Sequence, residues 1–168
     1  MNASSSPPEP SDPRLAGTAY DSAVSEWLTE AAKDLPQERL LVLFEKAVDA
    51  LWRRARWSIG AVSLIAIVDR AITIGAGHWP LLSLLHVDAS GVYFQDLGKH
   101  IETASVGEVV FGMQVLLAEI LSIIGALTSD MLTPVLQQAL ARVTLVPADR
   151  SQRRQWPAEP EPAEGSGT

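Results

Sequence analysis

Three histidines are the side chains in this sequence best suited to proton transfer or metal binding near neutral pH. His78, His86 and His100 are not paired at helical spacing, so the sequence predicts no metal centre. The segment "KHIETAS" around His100 does not match the His-x-x-Lys-Gly or His-Glu patterns of phosphorylated histidines in helical phosphorelay proteins. The chain has no cysteine, which excludes thiolate chemistry and disulfide bonds.

Glycine-rich phosphate loops and nucleophile motifs are also missing from the sequence. The segment "IGAGHWP", residues 74–80, has two glycines two positions apart but lacks the third glycine of a dinucleotide-binding loop. No strand-to-helix nucleophile elbow of the G-x-S-x-G type occurs. We therefore predict a non-enzymatic protein that needs no cofactor.

Ionisable residues interrupt two otherwise apolar segments, at Asp69 with Arg70 and at Glu119. Charged side chains are rarely buried without a partner, so Asp69 and Glu119 are candidate buried polar groups. They are either polar contacts of a small-ligand pocket, structural partners of a cation such as Arg142 or Arg70, or groups that face water. Asp69 and Arg70 do not pair with each other, because adjacent residues do not share a helix face.

One basic cluster with flanking tryptophans, "LWRRARW", covers residues 51–57. Arg53, Arg54 and Arg56 form a candidate docking patch for an acidic peptide, a lipid surface or a nucleic-acid backbone. The alternative is a solvated helix face, because Glu45 and Asp49 precede them on the same predicted helix. The net charge of −7 argues against nucleic acid and anionic lipid as partners.

Apolar residues at helical spacing predict an all-α fold, a compact bundle of about five to seven helices in one domain over residues 18–146. The first helix is predicted from Asp21 and the second from a capping box of Asp34 and Gln37. Residues 58–74 suit a helix or a buried strand, and we predict a helix capped at Ser58. No strand-turn-strand pattern is visible.

Two further helices follow in the second half. Ser105 and Glu108 have the spacing of a capping box, which predicts a long helix to Thr128. A last helix is predicted through Pro134 to about Val143, with Asp130 or Thr133 as its cap.

The two ends of the chain differ in composition from this domain. Residues 1–17 are rich in serine and proline, and residues 147–168 are rich in proline, glutamate and glycine. Such segments bury too little apolar surface to offset backbone ordering, so we predict disordered tails. Trp156 beside "RSQRRQ" is either a short docking motif or a solvated tail residue.

The most apolar predicted helix, residues 106–128, allows three interpretations: a membrane span, a core helix or a dimer seam. A bilayer core needs about 20 mostly apolar residues. Glu119 lies at the centre of the best window, so we do not expect a membrane span. Small residues recur every four positions at Ala118, Ser122 and Ala126 and would permit close helix contact. The candidate interface is one apolar stripe of this helix: Val110, Met113, Leu117, Ile120, Ile124 and Leu127.

Charge is scarce in the second half of the chain. The 85 residues from Trp57 to Ala141 carry nine charged side chains, where average composition of about 25% would give roughly 21. This depletion predicts a homodimer, or contact with another protein partner. The first ten residues, "MNASSSPPEP", show no secretory signal pattern, so we expect a cytoplasmic protein.

Together these features predict a self-associating helical interaction module that acts as a scaffold or a regulatory or signalling adaptor. Two alternatives remain from the sequence, a small-ligand-binding regulatory domain and a membrane-associated helical protein.

Overall fold

The computed structural model describes the backbone of residues 13–145 and the side chains of residues 19–145. The predicted all-α bundle is confirmed, since this part of the chain contains six α-helices. The remainder of each predicted disordered tail lies outside the described residues, but residues 13–17 belong to the first helix. The helices are α1 Pro13–Ala31, α2 Gln37–Ile59, α3 Ala61–Ala76, α4 Gln95–His100, α5 Val106–Thr128 and α6 Thr133–Ala141.

The first helix starts earlier than the sequence predicts. Asp21 was expected as the N-cap, but α1 begins at Pro13. A proline at the first helical position costs no hydrogen bond and already has the helical φ angle, so it is a start signal in its own right. Asp21 instead accepts a hydrogen bond on its carboxylate from Gln114 Nε2 of α5 at 3.1 Å.

The start of α2 also differs from the predicted capping box. Its N-cap is Pro36, without a side-chain capping bond, and Asp34 has a left-handed φ of 58°. The Gln37 side chain donates to the backbone carbonyls of Ile101 and Ala104, the latter at 2.7 Å. Gln37 therefore anchors α2 to a distant segment rather than capping its own helix.

The predicted helix over residues 58–74 is confirmed with shifted bounds. Ser58 is not its cap, because α2 continues to Ile59 and α3 begins at Ala61. Gly60 between them has φ 87°, a conformation that strains residues with a side chain. One glycine thus turns the chain from α2 into α3 without a loop.

The segment between α3 and α5 contains a short hairpin that no pattern in the sequence predicts. Strands β1, His86–Asp88, and β2, Gly91–Tyr93, pair antiparallel with Val87 opposite Val92. Three residues per strand are too few for an alternating pattern to stand out. Two 3-10 helices, Pro80–Leu84 and Ile101–Thr103, lie on either side of the hairpin.

Helix α5 lies at the centre of the bundle and packs against α1, α2, α3 and α6. Its predicted capping box is confirmed. Ser105 accepts a hydrogen bond from the Glu108 backbone N–H at 3.2 Å, and the Glu108 carboxylate accepts one from the Ser105 backbone N–H at 2.7 Å. Helix α5 is apolar on nearly every side, which is typical of a helix that neighbours surround.

Candidate functional site

The apolar stripe that was predicted as a dimer interface faces the core of the same chain. Met113, Leu117, Ile120 and Ile124 are each at most 2% exposed. These four of the six residues are therefore closed to a second molecule in this fold, because neighbouring helices cover them. Val110 is half-buried and Leu127 is 67% exposed.

A different face of α5 points outward. Successive spacings of three or four residues place Phe111, Val115, Ala118, Ser122 and Ala126 on one helix face, which we call the outer stripe. Phe111 is 47% exposed, Ala126 is exposed, and the other three are half-buried. No member carries a charge, and Glu119 borders the stripe. The outer stripe is thus an uncharged, partly uncovered strip along the central helix.

By length and composition alone, α5 could also cross a bilayer. Half of its most apolar 18-residue window is buried inside the fold. One such helix is weak evidence for a membrane span. The cytoplasmic location therefore stays a prediction.

The two candidate buried polar residues are not buried. Asp69 is exposed on α3, and Glu119 is half-buried on α5. Neither lines either of the two clefts described below. Apolar neighbours in sequence do not imply burial here, because a helix can carry one polar side chain outward between buried turns.

The three arginines of the predicted docking patch are all exposed, near the turn between α2 and α3. Trp57 beside them is 91% exposed, and Val62 at the start of α3 is 83% exposed. Arg53 also forms an exposed ion pair with Asp49 at 2.8 Å, which contributes little to stability. We call this surface the arginine corner. Its role in docking stays a prediction.

A cleft lies between α1, the start of α2 and α6, and we call it the terminal cleft. Its volume is about 1130 Å³. Trp27 on its wall donates a hydrogen bond from Nε1 to the Val143 carbonyl at 3.1 Å, which ties α1 to the chain after α6. The main apolar lining residues are Trp27, Ala31, Leu35, Leu121, Leu140 and Leu145.

Acidic side chains outnumber basic ones around the terminal cleft. Four carboxylates and two cations line it, and the carboxylates belong to residues that are all exposed. The acidic residues are Glu26, Glu30, Asp34 and Glu38, and the basic residues are Lys33 and Arg39. The cleft therefore combines an apolar floor with a net negative rim, which favours a cationic, partly apolar occupant.

A second cleft of about 530 Å³ lies between α2 and β2. Trp52 and Glu45 both line it. Within the described part of the chain, the buried Trp52 Nε1 has no hydrogen-bond partner, and burial raises the pKa of the Glu45 carboxyl. A water molecule is a sufficient partner for such an indole N–H, so the cleft alone assigns no ligand.

A polar contact connects α1 to the turn between α5 and α6. The buried Tyr20 hydroxyl donates to Asp130 Oδ1, and the Thr133 hydroxyl donates to the same oxygen at 3.3 Å. Burial raises the pKa of Tyr20, and the hydrogen bond to Asp130 raises it further. Gly125 leaves the space that the Tyr20 ring occupies, since a Cβ there would overlap its hydroxyl. These groups form a structural contact rather than a reactive site.

Replacing Tyr20 with phenylalanine should lower the free energy of unfolding by about 1.5 kcal/mol at pH 7, the low end for a hydrogen bond to a charged group. The raised pKa also makes the tyrosine contribution pH-dependent. It is complete below the unfolded-state pKa of about 10 and is lost as pH rises further, because the unfolded tyrosine ionises first. The difference in unfolding free energy between wild type and Tyr20→Phe should therefore become smaller above pH 10. Urea unfolding at a series of pH values measures this difference.

Tyr93→Phe is the matched control, because Tyr93 is 41% exposed and its hydroxyl bond to Asp88 lies in solvent. It should change stability by less than about 0.5 kcal/mol. Equal losses for the two variants would contradict the role given to Tyr20.

The three histidines are exposed. Among the described residues, no three histidine, aspartate or glutamate side chains form a potential metal site. His100 Nδ1 lies 2.9 Å from the Asp96 carbonyl of its own helix.

In comparisons with known proteins, no family model, no curated protein and no solved structure matches this chain.

Proposed function

We propose that this protein is a non-enzymatic helical interaction module that self-associates through the outer stripe of α5. The observation that carries the proposal is an uncharged strip, from Phe111 to Ala126, that remains partly uncovered on the most central helix. Removing apolar surface of this kind from water lowers the free energy of the protein.

A second copy of the chain is the occupant that fits this strip best. In a two-fold contact the same surface patch is used on both molecules, so a patch of one charge sign faces a patch of the same sign. The outer stripe has no charged member and avoids this repulsion. The arginine corner, in contrast, would place arginine opposite arginine in such a contact.

Small side chains make close helix packing feasible at the same place. Ala118, Ser122 and Ala126 are spaced by four residues and therefore form a shallow row on the outside of α5. A facing helix can approach a row of small residues more closely than it can approach a row of leucines. We infer an α5-to-α5 contact, with Phe111 as its largest apolar side chain.

The test is the mass in solution of the full chain and of Ala126→Arg, by light scattering at tens of micromolar. Wild type is expected at twice the chain mass of 18.1 kDa. Ala126→Arg is expected at 18.1 kDa, because it would place a guanidinium group inside an uncharged contact. Ala126 is exposed, so the arginine should not disturb the monomer fold.

Gln138→Arg is the matched control, since it adds a guanidinium at an exposed position of α6. It should keep the mass of wild type. A monomeric wild type, or equal dissociation of the two variants, would contradict self-association through the outer stripe.

A further inference from the structure

We propose that the terminal cleft is an intramolecular docking site for residues 150–156, "RSQRRQW", of the same chain. These residues lie outside the described part of the structure. The proposal does not rest on self-association through α5, because it concerns a different surface and a contact within one chain.

Charge complementarity is the first reason for this assignment. The segment contains Arg150, Arg153 and Arg154 and no acidic residue. The cleft presents four carboxylates against two cations. Arginine pairs well with carboxylates because its planar guanidinium can donate two parallel hydrogen bonds. The arginine corner is basic and the outer stripe is uncharged, so neither offers this match. The second cleft is smaller and has two carboxylates, Glu45 and Asp49, against one cation, Lys46.

The apolar floor of the cleft accounts for Trp156 in the same segment. An indole ring has a large apolar area, and its N–H can still reach a polar partner at the rim. The cleft volume of about 1130 Å³ has room for that ring and for arginine side chains beside it. Trp27 on the cleft wall offers a ring against which an arginine or an aromatic side chain can stack.

Chain connectivity brings the segment to the cleft. Leu145 lines the cleft and is the last described residue. Only residues 146–149 separate it from Arg150, and four residues span at most about 14 Å. The bond from Trp27 to the Val143 carbonyl holds the chain at this exit. A tether this short gives a local concentration of about the millimolar range, so modest contacts suffice for occupancy.

Docking of this segment would make the cleft a regulated surface. A basic, aromatic segment of another protein could enter only by displacing residues 150–156. The chain would then carry its own competitor for the cleft.

The experiment uses the natural absence of cysteine to place two spin labels, through Thr29→Cys on α1 and Ser151→Cys in the segment. Thr29 is exposed and does not line the cleft. Double electron–electron resonance on the full chain should give one narrow, short distance. The narrow distance should persist when labelled protein is diluted with an excess of unlabelled protein.

Charge reversal then tests the contact itself. The pair Glu26→Lys and Glu30→Lys should abolish the narrow distance, and adding Arg153→Glu and Arg154→Glu should restore it. The control pair Asp69→Lys and Glu102→Lys makes the same charge change at exposed positions away from the cleft and should leave the distance unchanged.

Three results would overturn the proposal. One is a broad distance distribution in the unmodified background. Another is loss of the short distance on dilution, which would assign the contact to a second copy. The third is an equal effect of the control pair, which would show that the net charge of the protein, and not a contact at the cleft, determines the distance. None of these results depends on the mass measured for Ala126→Arg.

Discussion

Gly112→Ala is expected to lower the free energy of unfolding by about 3 kcal/mol, toward the upper end for overpacked cores. Gly112 lies on the buried side of α5, where a Cβ would overlap several ring atoms of Trp79. Trp79 is 5% exposed, so its ring has little space to retreat. A loss of this size should lower Tm by roughly 6–12 °C, measured by circular dichroism during heating.

Gly107→Ala is the matched control on the same helix. A Cβ at Gly107 would meet nothing within 4 Å. Alanine is the better helix former, so this variant should be neutral or should gain up to about 1 kcal/mol. If both alanines destabilised the protein equally, contact with Trp79 would not be the cause, and the packing described for α5 would be incorrect.

Leu117→Ala is expected to cost about 2–5 kcal/mol of unfolding free energy without changing the oligomeric mass. Leu117 is fully buried at the centre of α5, and its truncation would leave a cavity. Urea unfolding measures the stability, and light scattering on the same samples measures the mass. A loss of stability without a change of mass identifies Leu117 as a core residue, whereas a change of mass would identify it as an interface residue.

Leu127→Ala makes the same truncation at a residue that is 67% exposed. It should change stability by less than about 0.5 kcal/mol. A mass change in Leu117→Ala with little loss of stability would restore the stripe from Val110 to Leu127 as an interface and contradict the burial seen in the structure.

Local signals in the sequence were sufficient for several elements of the fold. The capping box needs only Ser105 and Glu108 three residues apart, and it located the start of α5 correctly. The start of α1 was missed because the acceptable cap Asp21 lies inside a helix that proline begins earlier. The hairpin was missed because each strand is only three residues long.

The candidate surfaces were harder to predict because they depend on which neighbour covers which face. On a helix that is apolar nearly all round, spacing defines the stripes but not the one that faces inward. Gly112 and Gly125 are signals that could have decided it, since both mark close contact with aromatic side chains. The terminal cleft has no local signature, because Trp27 and Val143 are 116 residues apart.

The contacts of α1 have a consequence for synthesis of the chain on the ribosome. Its polar ties, Tyr20 to Asp130 and Trp27 to Val143, join residues 110 and 116 positions apart. At about 5–20 residues per second, α1 waits on the order of 5–20 s before these partners are translated. During that interval its apolar residues Val24 and Leu28 lack their final cover. The apolar face of α1 therefore stays without its full cover until α6 has been translated.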